Sequence, residues 1–270
     1  MTSIESVPES SPLRGRTAVI TGVSRRAGIG FAIARRLAAY GADLFLHHHA
    51  DHDADQPWGR DPEGPQALAA ELARTHPGGG RVCDLGLDLA DPTAPEQLID
   101  AATNALGHLD ILVCNHARSG GDGRLGALNA AMLDAHWAVN TRATILLSQA
   151  FAARHDRRPG GRIVFLTSGQ DLGPMPDEIA YATSKGALAS ITRSLAADLA
   201  DRSITLNTVN PGPVDTGWAT PDLHEAVRSR LPAGRWGTPD DPARLIAWLA
   251  TDDAQWITGQ VINSEGGFRR

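Results

Sequence analysis

Seven short apolar runs, separated by stretches with helical spacing, constrain this chain more than any other feature. They are TAVIT (17–21), DLFLHH (43–48), RVCDLGLDL (81–89), LDILVCN (109–115), RIVFLTS (162–168), ITLNTVN (204–210) and GQVINS (259–264). Val, Ile and Leu dominate them and polar alternation is slight, the pattern of strands covered on both faces. The intervening segments GIGFAIARRLAAYG, QALAAELART, PEQLIDAATNALG, a stretch from about 133 to 154, AYATSKGALASITRSLAADLA and DPARLIAWLAT carry apolar residues at helical spacing. Strand–helix alternation of this kind predicts a Rossmann-type α/β fold. Its sheet is doubly wound, mostly parallel and seven-stranded, with helices on both faces. One domain is expected over 14–270. Residues 1–13, rich in Ser, Pro and Glu, read as a flexible leader.

Two segments interrupt the rhythm. HHADHDADQPWGRDPEGP (48–65) is a polar insertion where such a unit needs only a short loop. It reads either as a binding loop or as a disordered surface excursion. DTGWATPDLHEAVRSRLPAGRWGTPDD (215–241) is also long, with a short helical piece inside, and suits a lid or binding loop.

Composition excludes several classes. Apolar residues make up 42% and charged residues 21%, and the formal net charge is −6. No Lys/Arg block is long enough to suggest nucleic-acid or membrane binding. No apolar run reaches the roughly 18 residues of a membrane-spanning helix. The N-terminal stretch lacks the basic and apolar regions of a secretory signal. The two cysteines, Cys83 and Cys114, form no disulfide framework or zinc pattern and read as buried small hydrophobes. A cytoplasmic protein is expected.

TGVSRRAGIG follows the first strand and opens the first helix. Gly22, Gly28 and Gly30 allow a tight turn and let backbone N–H groups approach a phosphate. The helix aims its positive end at that anion. In this position the motif predicts dinucleotide binding. An acid at the end of the second strand commonly reads the ribose hydroxyl of NAD(H). Here that strand ends in His47, His48 and His49, while Asp51 and Asp53 lie out in the insertion. The glycine turn carries Arg25 and Arg26, and a guanidinium can hold a phosphate through two parallel bonds. A basic turn and a missing acid favour NADP(H) over NAD(H). The alternative for the two arginines is a solvated pair on an exposed loop. The histidine run supplies no further ligand, so no metal is expected.

YATSK places Tyr181 and Lys185 four residues apart, on one helix face. A phenol with its reference pKa near 10 is a poor acid–base partner at neutrality. A cation about 5 Å away, at an effective dielectric of about 20, contributes roughly 3 kcal/mol. That corresponds to about two pKa units. Ser168 sits at the end of the fifth strand, on the carboxyl edge where ligands bind in such sheets.

Together these segments resemble the short-chain dehydrogenase/reductase family, in its 3-oxoacyl-carrier-protein-reductase-like group. TGVSRRAGIG is similar to the family's TGxxxGxG turn, with two extra residues before the second glycine. CNHA (114–117) is similar to its NNAG stretch, and Asn140, Ser168, Tyr181 and Lys185 match its catalytic tetrad in order and approximate spacing. NPGPVDT (210–216) resembles its PG motif. The resemblance covers roughly residues 13 to 268.

It implies an oxidoreductase that moves a hydride between NADP(H) and a ketone/secondary alcohol pair, with Tyr181 as general acid/base. Ser168 would bind the substrate oxygen, and Asn140 would hold a water that links Lys185 to solvent. The implied cofactor contacts begin with Gly22, Ser24, Arg25, Arg26, Gly28, Ile29 and Gly30 in the turn. His48, Asp88 and Leu89 would follow at the ends of the second and third strands, then Asn115 and Ala117. Tyr181, Lys185, Pro211, Gly212, Val214 and Thr216 would complete them. His116, where the family carries a small residue, either faces the substrate or packs beneath the cofactor. A homotetramer is implied as well. A non-catalytic dinucleotide sensor or scaffold on the same fold is the competing reading.

Overall fold

The apolar runs become strands because both faces of each must be covered. β1 (Thr17–Ile20), β4 (Ile111–Cys114) and β5 (Gly161–Leu166) are buried along their whole length. β2 (Asp43–His48), β3 (Val82–Gly86), β6 (Ile204–Asn210) and β7 (Val261–Asn263) complete the sheet. All pairs are parallel and the order is β3-β2-β1-β4-β5-β6-β7. This computed structural model describes residues 11–270.

Helices flank the sheet on both sides and divide the core in two. On one face α1 (Ile29–Ala39), α3 (Gly64–Thr75) and α9 (Asp240–Leu249) bury Ile33, Leu37, Leu68 and Ile246 against Ile20, Leu44 and Val113. On the other, α4 (Ala94–Leu106), α6 (Ala143–Arg154) and α7 (Ile179–Leu199) cover Val19, Leu112 and Phe165 with Leu98, Phe151 and Leu188. Phe151 and Phe165 are fully buried, and each ring contributes roughly 1.5–3 kcal/mol.

Most of the expected leader lies outside the described residues. Its boundary at residue 13 falls late, because Leu13 is buried and its N–H donates to the Tyr40 carbonyl. The polar insertion is neither bare loop nor loose excursion: it holds α2 (Ala50–Ala54), and Asp53 within it is buried. The later excursion carries α8 (Pro221–Arg228). The stretch expected as one long helix divides into α5 (Ala130–His136), a π-helical turn (Trp137–Arg142) and α6. Strand order reverses between β1 and β4, so the turns after these strands open a crevice at the carboxyl edge.

Candidate active site

At that crevice the chain leaves β1 through Gly22, whose φ is +74°. A Cβ there would come within 2.9 Å of both Asn115 Nδ2 and His116 Cα, and a Cβ at Gly30 would lie 2.4 Å from the Gly22 carbonyl oxygen. The glycines therefore let the turn, the first helix and the turn after β4 close on one another. Asn115 fixes that closure by donating to the Thr21 and Gly22 carbonyls at 3.0 and 3.1 Å.

A cleft of about 310 Å³ runs from this turn, lined by Gly22, Ser24, Arg25, Gly28 and Ile29, past Asp88 and Leu89, to Asn115 and Ala117. Two sequence expectations need correction here. His48 faces away from the cleft, because side chains alternate along β2. Its ring meets Asp84 of β3 at 3.2 Å, while His47 and His49 line the cleft. Arg26 also turns away. Its guanidinium is held by Asp61 at 2.7 Å, Glu71 at 2.9 Å and Glu63, leaving Arg25 as the arginine of the turn in the cleft. Arg25 donates to the Thr216 carbonyl at 2.6 Å and lies 5.6 Å from the Trp58 ring centroid.

The insertion supplies the outer wall. Asp53 accepts from the Ser24 hydroxyl and, at 3.0 Å, from the Trp58 indole N–H. Sequence spacing gave no sign that Asp53 would fold back onto the glycine turn. The one available signal was a tryptophan in an otherwise polar segment.

His116 packs beneath the cleft instead of facing the substrate side. Its Nδ1 meets the Thr21 hydroxyl at 2.7 Å and its Nε2 meets the Val139 carbonyl at 3.0 Å. Burial pushes it down to about 3, with His47 and Lys185 adding to the shift. Burial likewise lowers His47 to about 4, against its bond to the Leu87 carbonyl. Both imidazoles are neutral at physiological pH, so each can accept at one nitrogen while donating from the other.

A larger cleft of about 770 Å³ adjoins the first and shares Arg25, Ile29, Trp58 and Thr216 with it. Ser168 and Tyr181 face it, as do Pro211, Gly212 and Val214, and Trp218, Trp236 and Phe268 give it an aromatic wall. Lys185 lies buried one helical turn from Tyr181, with Nζ 5.8 Å from the tyrosine ring centroid. That ammonium donates to the Leu166 carbonyl at 2.8 Å.

The expected acidification of Tyr181 is not present in the protein by itself. Burial raises its hydroxyl to about 12; the Glu178 charge adds to this, and the Ser168 hydroxyl opposes it. Burial also pulls Lys185 down to about 8, which leaves it mostly charged at pH 7. Desolvation is the largest cause of both shifts.

Asn140 sits in the π-helical turn and is fully buried. Its amide N–H groups donate to the Arg118 carbonyl at 3.1 Å and the Ser184 hydroxyl at 2.9 Å, while its oxygen accepts from the Arg118 N–H at 2.7 Å. Both side-chain donors are thus spent tying the turn after β4 to α7. π-Turns inside helices occur often at functional sites.

The family model described as Enoyl-(Acyl carrier protein) reductase matches residues 22–269. The chain belongs to the short-chain dehydrogenase/reductase family.

Among its relatives, an uncharacterized oxidoreductase of Bacillus subtilis (strain 168) is 43% identical over 257 residues, spanning 94% of this chain and 97% of the relative. A short-chain dehydrogenase from Burkholderia cenocepacia J2315, solved in complex with NADP, superposes with a TM-score of 0.83 at 37% identity, covering 95% of this chain and 98% of that one. The angucycline C-6 ketoreductase LanV, solved with bound NADP, gives 0.82 at 33% identity, covering 96% and 97%.

The residues of this short-chain dehydrogenase/reductase fit the nicotinamide dinucleotide of its family. The glycine turn lines the first cleft with Gly22 and Gly28, where backbone can approach a phosphate closely. Lys185 has three N–H donors and one protein acceptor. Among the described residues, no group of three His, Cys, Asp or Glu side chains is arranged to hold a metal ion.

Proposed function

We propose that the chain is an NADP(H)-dependent oxidoreductase acting on a ketone/secondary alcohol pair, with Tyr181 as general acid/base. The observation that carries this reading is the meeting of Ser168 and Tyr181 in one cleft, continuous with the glycine turn, above a buried Lys185. The cofactor, when bound, supplies or accepts the hydride. The glycine turn and the start of α1 hold its phosphates, and the spare Lys185 donors hold ribose hydroxyls. Ser168 donates to the substrate oxygen and stabilises charge that develops there. Tyr181 gives that oxygen its proton in reduction and takes it back in oxidation. Asn140 serves by fixing the turn after β4 against α7.

NADP(H) is favoured because Arg25 and Arg118 both line the first cleft, Arg25 bonding the Thr216 carbonyl and not a carboxylate, while Asp53 is occupied by Ser24 and Trp58. NADP bound to two of the similar proteins agrees with this. The aromatic wall suits a mid-sized, partly apolar ketone. We further propose a homotetramer in the cytoplasm. Trp256, 95% exposed, and Val261 on the last strand are apolar surface that assembly would cover, and light scattering of purified protein tests this.

The decisive assay follows nicotinamide absorbance with a panel of aromatic and aliphatic ketones. Turnover that prefers NADPH and is lost in Tyr181→Phe is the expected result. Cofactor binding without turnover across the panel, equally tight in Tyr181→Phe, would instead identify a sensor.

A further inference from the structure

The helix that carries Tyr181 and Lys185 begins two residues before the tyrosine, so Tyr181 lies in its first turn. First-turn N–H groups have no partner inside a helix. Glu178, the residue before α7, makes no side-chain capping bond. The partner comes from a distant segment. Asp122, in the glycine-rich loop between β4 and α5, accepts from the Tyr181 N–H at 2.7 Å through Oδ2 and from the Ala180 N–H at 3.0 Å through Oδ1. Oδ1 also accepts from the Gly123 N–H at 2.7 Å. A second clasp joins the same two segments, Arg124 Nε to Asp177 at 2.5 Å. Ser119 and Gly120 of this loop line the larger cleft beside Tyr181.

We infer that Asp122 is a positioning residue: it caps the catalytic helix from the substrate-facing loop and so fixes where the Tyr181 hydroxyl stands. This rests on the reading of Tyr181 as the proton-transfer group. A carboxylate taking two helix N–H groups is a strong cap and favours the positive end of the helix. Asp122 acts through the backbone of Tyr181 and touches neither cleft itself. Because the loop that borders the substrate also caps the helix, order in one is transmitted to the other.

The test compares Asp122→Ala and Asp122→Asn in the Tyr181 and Tyr181→Phe backgrounds, with NADPH and a ketone that the wild type turns over. Misplacement of a reacting group by about 1 Å costs on the order of a hundredfold. Asp122→Ala should therefore lower kcat by about tenfold to a hundredfold, while the ketone KM and the NADPH Kd change by less than about threefold. Asp122→Asn, which keeps an acceptor, should recover most of the rate. Hydrogen exchange in the peptide spanning Ala180 and Tyr181 should quicken in Asp122→Ala far more than elsewhere in the fold, with the melting temperature lowered by only about a few degrees. In the Tyr181→Phe background the alanine change should cost nothing further, since residues that act as one unit are non-additive.

Full kcat in Asp122→Ala, or the same loss in both backgrounds, overturns the proposal. If Tyr181→Phe alone keeps full turnover, the proton-transfer reading fails and the proposal fails with it. A dead Tyr181→Phe beside a fully active Asp122→Ala overturns the proposal alone.

Discussion

The Lys185 ammonium stands 5.8 Å from the centroid of the Tyr181 ring and gives its hydrogen bond to the Leu166 carbonyl. Burial has lifted the phenol to about 12, so catalysis near neutrality requires that the cation gain influence once the cleft is filled. Under the proposed function, alcohol oxidation uses the ionised phenol, so its rate should rise with pH up to the working pKa of Tyr181. Lys185→Met removes the charge that favours ionisation and should move that inflection upward by about one to two units. An inflection that stays in place would show that the lysine does not tune the tyrosine.

Arg25 and Arg26 are adjacent in sequence but differ in their surroundings. Arg25 faces the first cleft, whereas three carboxylates hold Arg26 outside it. Arg25→Ala should weaken NADPH binding about tenfold to a hundredfold, as expected for a lost charge-assisted bond. NADH should weaken far less. Arg26→Ala should leave the preference between the two cofactors unchanged. Titration of both variants with both cofactors checks this; equal losses of NADPH and NADH in Arg25→Ala would remove Arg25 from the 2′-phosphate.

Gly30 has no unusual φ, so its role is one of space. A Cβ there would sit 2.4 Å from the Gly22 oxygen and 2.7 Å from Asn115 Nδ2. Gly30→Ala should cost roughly 1–3 kcal/mol of stability, as overpacking does. It should also weaken cofactor binding by pushing the turn outward. Denaturant melts and a cofactor titration report the two effects separately.

His47 and His116 are held neutral by burial, which lowers them to about 4 and about 3 from the usual imidazole range near 6.5. Between these values the unfolded chain binds protons that the folded chain does not. Stability therefore falls as pH drops from about 6.5 toward 4. Each histidine can contribute up to roughly 3 kcal/mol of that loss by pH 4. Thermal melts from pH 7.5 to pH 4, in about half-unit steps, should show a shallower decline for His116→Asn than for the wild type. An unchanged slope would mean that His116 does not carry the effect.

The strands, the glycine turn between the first strand and the first helix, and the placing of Tyr181 one helical turn from Lys185 were legible in the sequence. Each is written in local spacing: apolar runs, glycines between a strand and a helix, and two polar residues one helical turn apart. What escaped depends on contacts between distant segments. The preference for His48 failed because the pleat turns His47 and His49, not His48, toward the cleft. Arg26 was misread because its partners Asp61, Glu63 and Glu71 lie 35 to 45 residues away. Asp53 and Trp58 were hidden by an insertion whose fold no periodicity announces. The sign of the Tyr181 shift also depends on burial, which spacing alone does not give.

The wide turn from Trp137 to Arg142 carries one residue more than a regular helix needs. Removing any single residue from it would restore the ordinary winding with the flanking helices still in phase, but the residues inside the turn would move to other faces. Asn140 could then no longer reach both the Arg118 main chain and Ser184. The surplus residue works as a gear offset, which makes this stretch a poor place for a deletion although it looks like unremarkable helix.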